Sequence, residues 1–248
     1  GNTSWHTPAN WNNDTLPVST DDVVIPAQIT VTYSTGTTSI NSLSNSGDMA
    51  LSGGTLNIAT TASANNLTIS GGTANFNTTQ PAQIQSLSIS GGTLGGSGTV
   101  TVSGQLSWSG GEMSGTGKTI ANGGMMISGS GYKSLTGRTI DNAGVATWSG
   151  TGLIYIFSAG SVFNNLASAT FDIQNDTSFG YYTGTFNNAG LVRKSAGTGT
   201  TTMQFTFNNT GTVEVQSGTL SLASGGGTSS GSFAVSAGTT LNFSGGTH

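Results

Sequence analysis

The sequence predicts an all-β fold, a parallel β-helix (β-solenoid), from three observations. An apolar residue followed by Ser-Gly recurs every 18 to 21 residues, an Asn-Asn motif recurs every 21 to 23, and no stretch has helical periodicity. Repeats of this length, made of short strands and turns, are typical of solenoids, whose coils bury apolar side chains against their neighbours. About 11 to 12 coils of roughly 18 to 23 residues fit the 248-residue chain.

The first repeat predicts a column with one buried apolar side chain per coil. Its members are Leu51, Ile69, Ile89, Trp108, Ile127 and Trp148. Because the other four members are aliphatic, we expect Trp108 and Trp148 to lie in the core. The alternative is an aromatic platform for sugars. The Ser-Gly after each member predicts a corner of the coil.

The second repeat predicts a ladder of asparagines. It reads IDNAG, FNNLA, FNNAG and FNNTG, and it places four residues at equal positions in successive coils: Asn142, Asn165, Asn188 and Asn209. Asparagine tolerates the left-handed conformation of a turn, and stacked side-chain amides can hydrogen-bond from coil to coil. The repeat therefore indicates a structural role for these residues.

Alternating segments between the repeats predict the strands. TVTVSGQLSW, GTVEVQSGTLSL and TTLNFSGG alternate apolar residues with Ser or Thr, which is the period of a strand. Crossovers between parallel strands are nearly always right-handed, so we expect right-handed coiling. At about 4.8 Å per coil, the rod is expected to be roughly 55 Å long.

Residues 1–30 break the repeat and are expected to cap the N-terminal end, whereas 31–248 form one continuous β-helix domain. The first coil of a solenoid would otherwise expose its apolar cross-section and free strand edges. Trp5 and Trp11 are suited to cover this end. The last segment, TTLNFSGGTH, begins a further coil, so we expect the C-terminal end to be uncapped. Head-to-tail stacking of rods into fibres is one hypothesis.

The composition excludes several classes of function. The chain has 40 glycines, no cysteine, 6% charged residues and a net charge of -4, whereas average globular chains have about 25% charged residues. A nucleic-acid surface needs clustered Lys and Arg, so no nucleic acid is expected as a partner. No apolar run approaches the roughly 20 residues of a membrane helix, so no membrane insertion is expected.

The segment SWSGGEMSGTGKT superficially resembles a phosphate-binding loop. Such a loop needs glycine five residues before its Gly-Lys pair, and here that position is Glu112. Because a carboxylate repels phosphate, we interpret the segment as one corner of a coil, with Lys118 on a solvated edge.

Paired carboxylates would be needed for hydrolysis of a polysaccharide. Asp172 and Asp176 lie about one coil from Arg193 and Lys194, which is the best charged grouping in the chain. A solvated salt bridge between coils explains this grouping equally well.

A metal site has little support in the sequence. The two histidines, His6 and His248, are at opposite ends of the chain, and we expect no cofactor. Asp21 and Asp22, beside the segment NWNNDT, are a weak candidate for one Ca²⁺ held by oxygen ligands.

The most aromatic windows, LIYIF and FGYYTGTF, contain candidates for contact with a glycan or another partner: Tyr155, Tyr181 and Tyr182. Tyrosine on a flat sheet face suits stacking on carbohydrate rings. Packing or self-association is the alternative. Threonine-rich segments raise ice binding as a further alternative, although no strict Thr-x-Thr recurs in every coil.

The N-terminal segment combines Trp5, Asn10 and Trp11 with Pro17 and the run Asp-Asp-Val-Val-Ile. It resembles the segment that precedes parallel β-helix regions in large bacterial secreted and surface proteins, those similar to filamentous haemagglutinin and autotransporter adhesins. The coils FNNAGLVRKSAGTGTTT and FNNTGTVEVQSGTLSL also look like theirs, so the resemblance covers nearly the whole chain.

This resemblance implies an extracellular or bacterial cell-surface location and a non-catalytic structural or adhesive role. The implied partners are other copies of the chain, or a host or matrix surface presenting glycan or protein. The resemblance carries no catalytic residues. A carbohydrate-binding or polysaccharide-degrading β-helix module is the alternative function.

Overall fold

Three parallel β-ladders run side by side through the residues that the computed structural model describes, 2–180, 183–224 and 226–247. In chain order, the strands of this part are β1 (Asp22–Ile25), β2 (Thr30–Tyr33), β3 (Thr37–Phe76), β4 (Ala82–Ile89), β5 (Thr93–Gly95), β6 (Thr99–Val102), β7 (Leu106–Trp108), β8 (Gly111–Ser114), β9 (Lys118–Ala121), β10 (Met125–Ile127), β11 (Lys133–Thr136), β12 (Thr139–Asn142), β13 (Val145–Trp148), β14 (Ile154–Ile156), β15 (Val162–Asn165), β16 (Thr170–Ile173), β17 (Ser178–Phe179), β18 (Thr185–Asn188), β19 (Leu191–Lys194), β20 (Thr200–Gln204), β21 (Thr206–Asn209), β22 (Thr212–Val215), β23 (Thr219–Ser224), β24 (Ser232–Val235) and β25 (Thr240–Phe243).

Three strands form one coil, and each pairs in parallel with the equivalent strand of the next coil. Thus β12, β13 and β14 pair with β15, β16 and β17. We call the ladders that contain β12, β13 and β14 face 1, face 2 and face 3. The long strand β3 continues through corners of the coil and contributes to all three faces.

The first repeat forms one inward column at the end of the face 2 strands. Ile127 pairs with Trp108 in one neighbouring coil and with Trp148 in the other, and all three side chains are fully buried. We call each residue of this column a rung. Ten turns of the solenoid separate the first rung from the last. The eleven rungs are Tyr33, Leu51, Ile69, Ile89, Trp108, Ile127, Trp148, Ile173, Lys194, Val215 and Val235.

The predicted fold class, an all-β parallel solenoid, is therefore confirmed, with about 10 turns. This is slightly fewer than the 11 to 12 coils expected from the full length of 248 residues, because the column begins at Tyr33 and its last rung is Val235. Right-handed coiling stays a prediction.

The second repeat lies on face 1. Phe163 stacks on Phe186 with 4.9 Å between ring centroids, and Phe186 stacks on Phe207 at 5.6 Å. Two positions after each phenylalanine, a buried asparagine ends the strand. These asparagines form a continuous ladder of side-chain hydrogen bonds at 2.8–2.9 Å through Asn142, Asn165, Asn188 and Asn209.

A second, outer amide ladder runs beside the buried one. Asn164 donates to Asp141 at 2.7 Å, Asn187 to Asn164 at 2.8 Å, and Asn208 to Asn187 at 2.8 Å. None of the asparagines in either ladder has a positive φ, so the expectation of left-handed turn geometry is wrong. They occupy strand positions instead, because the amides can bond between coils only where the backbones are in register.

The N-terminal segment packs over the first rung of the column. Trp5 is fully buried, and its ring meets Trp11 at 4.7 Å and Tyr33 at 5.5 Å, both edge-on. Trp11 Nε1 donates to the carbonyl of Trp5 at 2.7 Å. Strand pairing already begins at Asp22, so the stack starts within the 1–30 segment assigned to the cap.

The helical structure of the described residues consists of two short 3₁₀ turns, Pro8–Asn10 and Asn12–Asp14. Within this part of the chain, no helix has the length and hydropathy needed to span a bilayer.

Candidate functional site

Three aromatic side chains form a patch on the outside of the rod, and we call Tyr132, Tyr155 and Phe157 the aromatic patch. In LIYIF, Ile154 and Ile156 point into the core and are buried. Because successive strand residues point to opposite faces, Tyr155 and Phe157 point outward. The corner before β11 brings Tyr132 alongside from the preceding coil.

The rings of the patch contact one another and remain accessible. Tyr132 meets Tyr155 edge-on, with 5.3 Å between centroids, and Tyr155 stacks on Phe157 at 5.4 Å. Tyr132 is 65% exposed and Phe157 is 50% exposed, whereas Tyr155 is half-buried. Ser134, two residues after Tyr132, pairs with Tyr155 in the ladder.

The patch offers what aromatic recognition of a partner requires. Exposed aromatic rings with a polar hydroxyl supply a large apolar area and a hydrogen-bonding group, which suits sugar rings and apolar protein side chains. The structure places Tyr155 in this patch. Tyr181 and Tyr182 lie outside the described residues, so their contact with a partner stays a prediction. Sequence reasoning missed Tyr132, because it precedes a strand and belongs to no repeat.

The acidic and basic residues of the candidate catalytic grouping form ion pairs between coils. Arg193 Nε lies 3.0 Å from Asp172 Oδ1, and Lys194 Nζ lies 2.8 Å from Asp176 Oδ1. The side chain of Asp172 is 6% exposed and that of Lys194 is fully buried. The side chains of Arg193 and Asp176 are 33% and 39% exposed, so each pair joins one buried group to one that solvent reaches. The salt bridges between coils are therefore present and partly solvated.

The contacts of both carboxylates favour their ionised forms. Burial alone raises the pKa of Asp172, but hydrogen bonds from Arg193, Ser195 and Gln174 outweigh it and hold that pKa below the ordinary 3.8. The hydrogen bond from Lys194 lowers the pKa of Asp176 in the same direction. A glycosidase needs one carboxylic acid that stays protonated to donate to the leaving group. Neither carboxylate meets this requirement.

Lys194 occupies a rung of the apolar column and carries its ammonium group to a corner. Its Nζ donates to the carbonyls of Asn175 at 2.7 Å and Ala196 at 3.1 Å, and to Thr201 Oγ1 at 3.0 Å. With Asp176, four oxygens surround the ammonium group. The strand LVRK indicates this inward position in the sequence. Alternate strand residues point to the same face, so Lys194 points inward as Val192 does.

Arg138 is a second buried cation, and its partners are mostly backbone carbonyls. Its guanidinium donates to Thr119 Oγ1 at 2.8 Å and, at 3.0–3.3 Å, to four carbonyls of two preceding coils: those of Gly96, Gly98, Ser114 and Lys118. Desolvation lowers the pKa of Arg138 to about 10. This side chain joins three coils at one corner.

Lys133 is also fully buried, but it has few partners. Among the described residues, its Nζ donates to the Gly131 carbonyl at 2.9 Å. Desolvation by burial lowers its pKa below the ordinary 10.5. Sequence reasoning missed Arg138 and Lys133 as interior residues, because it treated the few cations as surface groups.

The glycine-rich segment from Ser107 to Thr119 crosses all three faces of the stack. It contains the end of β7, all of β8 and the start of β9. Lys118 Nζ pairs with Asp141 Oδ2 at 2.8 Å, at the end of the outer amide ladder. Its side chain is 43% exposed, which agrees with a solvated edge.

Asp21 and Asp22 make hydrogen bonds within the protein. Asp21 Oδ2 accepts from the backbone N–H of Val18 at 2.8 Å, and Asp22 Oδ1 accepts from Asn41 and Ser42. Within the described residues, no group of three or more acidic, histidine or cysteine side chains is placed to hold a metal ion. A Ca²⁺ site in which Asp21 and Asp22 supply two carboxylate ligands stays a prediction.

Comparison of the chain with known proteins finds no matching family model, no matching curated protein and no matching solved structure.

Proposed function

We propose that the chain is a non-catalytic structural or adhesive rod that works outside a bacterial cell and contacts a partner through its aromatic patch. The observation that carries the proposal is the patch itself. Tyr132 and Phe157 are 65% and 50% exposed, on a rod whose other outward strand residues are mostly Ser, Thr and Asn.

The construction of the rod supports a mechanical role. Each coil bonds to its neighbours along three ladders, and two rows of side-chain amides add bonds between coils on face 1. Buried cations bridge coils at the corners, as Arg138 does. Such a stack holds outward side chains at fixed spacing, because neighbouring strands are about 4.8 Å apart.

The resemblance of the N-terminal segment and of the FNN coils to those of adhesin-like proteins supports the proposed location. An extracellular rod meets surfaces of glycan or protein, or other copies of itself. Assembly of rods into fibres is part of the same proposal, since a heterologous contact between ends propagates.

Carbohydrate binding is the second candidate, and the same patch favours it. Aromatic rings on a rigid face stack on sugar rings, while the hydroxyl of an exposed tyrosine such as Tyr132 bonds to sugar hydroxyls. Degradation of the sugar is less favoured, because Asp172 and Asp176 are both paired with cations.

The test is to screen the purified chain on a glycan array and on immobilised matrix proteins, and to assay hits for turnover. We expect saturable binding without release of reducing or unsaturated sugar ends. Release of sugar ends that Asp172→Asn abolishes would replace the proposal by the enzymatic alternative. An absence of binding to every surface, together with single dispersed rods in electron micrographs, would remove the adhesive and the fibre-forming roles.

A further inference from the structure

We propose that a groove at the N-terminal end of the rod binds an extended basic peptide segment of another protein. The groove has a volume of about 1140 Å³. It lies between residues 2–13 on one side, and β1 with the following turn as far as Val31 on the other. We call it the N-terminal groove.

An open strand edge borders the groove. β1 pairs with Ser42–Asn45 of β3, and it has no second partner among the strands of the described residues. On the neighbouring face, the edge of β2 is covered, since Ser4 bridges to Thr32. An edge strand presents unpaired N–H and C=O groups, which another extended segment can satisfy. At this end of the rod, an added strand can therefore pair with face 1, whereas the N-terminal segment already occupies the edge of face 2.

The lining of the groove includes exposed apolar side chains. Val24 is 66% exposed and Ile29 is 47% exposed, although most outward strand positions of the early coils carry polar residues. Val24 points outward because its neighbours Val23 and Ile25 are buried. Trp11 borders the groove and packs partly against the core. An extended peptide would cover these side chains with its own apolar residues.

The charge of the groove selects a basic peptide. Asp21 and Asp22 line it, and neither has an ion-pair partner among the described residues. Hydrogen bonds from Ser42 and Asn41 lower the pKa of Asp22, so this carboxylate keeps its charge. The first 117 residues contain five Asp or Glu residues and no Lys or Arg. The nearest Lys or Arg of the chain itself, Lys118, is therefore remote in sequence from β1.

The length of the edge limits the length of the bound segment. β1 has four residues, which extend over roughly 13 Å at about 3.3 Å per residue. We expect a segment of about five residues to pair with β1. Because Asp22 and Val24 both point outward, its Lys or Arg opposite Asp22 and its apolar residue opposite Val24 should lie two positions apart.

The test is to pan a displayed library of random 12-residue peptides on the full chain and to measure enriched peptides in solution. We expect enriched sequences to carry Lys or Arg and an apolar residue two positions apart. Val24→Lys should weaken binding by about tenfold, since it adds a like charge and removes apolar contact. Asp22→Asn should weaken it by about 2- to 5-fold, as expected for one exposed charge.

The matched control is Val145→Lys, which places the same side chain at a 58% exposed strand position on face 2, far along the rod. It should leave binding unchanged, and bound peptide should slow hydrogen exchange within Asp22–Ile25. Enrichment of no peptide, enrichment of acidic peptides, or equal loss in both lysine variants would overturn the proposal. A gain in stability with Ca²⁺ that Asp22→Asn abolishes, without any peptide binding, would replace it by a cation site.

Discussion

Asn165 donates from Nδ2 to Oδ1 of Asn188, 2.8 Å away in the next coil, and accepts from Asn142 of the previous coil at 2.9 Å. The same amide also donates to the carbonyl of Leu191 at 3.0 Å. All three asparagines are buried, so no water replaces a lost bond. The ladder thus fixes the register of face 1 coil by coil.

Asn165→Ala is expected to lower the free energy of unfolding by about 2 to 4 kcal/mol. It takes the donor from the buried Oδ1 of Asn188 and the acceptor of one Asn142 bond, although Asn142 Nδ2 keeps its bonds to the carbonyls of Gly144 and Thr170. The control is Asn164→Ala in the half-buried outer ladder, where solvent reaches the freed groups and the loss should be about 0.5 to 1.5 kcal/mol. Guanidinium denaturation midpoints measure both variants. Equal losses would show that burial of the inner ladder adds nothing.

Lys133 and Lys194 are both fully buried, yet their replacement by methionine should have opposite effects. Lys133→Met removes an amine with few partners and keeps a similar volume, so it should stabilise the protein by about 1 kcal/mol. Lys194→Met removes the ammonium donor to the Ala196 carbonyl, to Thr201 Oγ1 and to Asp176 Oδ1. It should therefore destabilise the protein by about 3 kcal/mol. Thermal unfolding of the two variants would contradict this assignment if both shifts had the same sign.

Acid should destabilise the protein through Asp172. Its pKa in the folded chain lies below the ordinary 3.8, so its stabilising contribution is fully present above pH 3.8. That contribution is lost as the pH falls through the folded pKa. Stability measured from pH 7 to pH 2 should therefore fall below about pH 4.

Two variants test whether the ion pair between Asp172 and Arg193 causes this loss of stability in acid. Asp172→Asn cannot titrate, and Arg193→Gln removes the cation that lowers the carboxylate pKa, so both should make the fall shallower. A fall as steep as that of the wild type in both variants would exclude this ion pair as its origin.

Gly72 forms a corner that no other residue fits. Its φ is +65°, and a Cβ there would lie 2.4 Å from the carbonyl oxygen of Gly54 in the preceding coil. Gly72→Ala should cost about 2 kcal/mol or more, from backbone strain and overlap together. Gly238 has a similar φ of +77° with nothing within 4 Å, so Gly238→Ala should cost only about 1 kcal/mol. Similar losses in a denaturation assay would mean that contact between corners is unimportant.

The regular part of the fold is readable from the sequence, because periodicity and burial coincide there. One apolar residue per coil before Ser-Gly predicts the column through Trp108, Ile127 and Trp148, and the structure has it. The Asn-Asn repeat predicts amide bonds between coils, and these are also present. In both cases each coil repeats the environment of the previous one, so a single pattern determines many positions.

The interior cations could not be found in this way, because each occurs once. Arg138 follows a corner glycine, and its five acceptors come from residues 19 to 42 positions earlier. No local pattern encodes that set of acceptors. The inward direction of Lys194 could have been predicted from the sequence. Lys194 follows Val192 by two residues in the strand LVRK, so both side chains point to the same face. Because the chain has few charged residues, Lys194 was interpreted as part of a solvated salt bridge instead.

The aromatic patch, too, could be predicted only in part from the sequence. Alternation in LIYIF gives the outward direction of Tyr155, but Tyr132 joins it from a corner whose path depends on the stacking of two coils. Contact between the two rings is therefore a property of the assembled stack.

The proposed adhesive function depends most on the aromatic patch as the contact surface of the rod. The direct measurement is the affinity of wild type, Tyr132→Ala and Phe233→Ala for whichever surface the array identifies. Phe233 is a partly exposed aromatic residue of the last described coil, so it controls for loss of an aromatic ring elsewhere. We predict about a tenfold loss for Tyr132→Ala, as expected for an exposed aromatic contact residue, and none for Phe233→Ala. Unchanged affinity in Tyr132→Ala, with folding intact, would contradict the assignment of the aromatic patch as the contact surface.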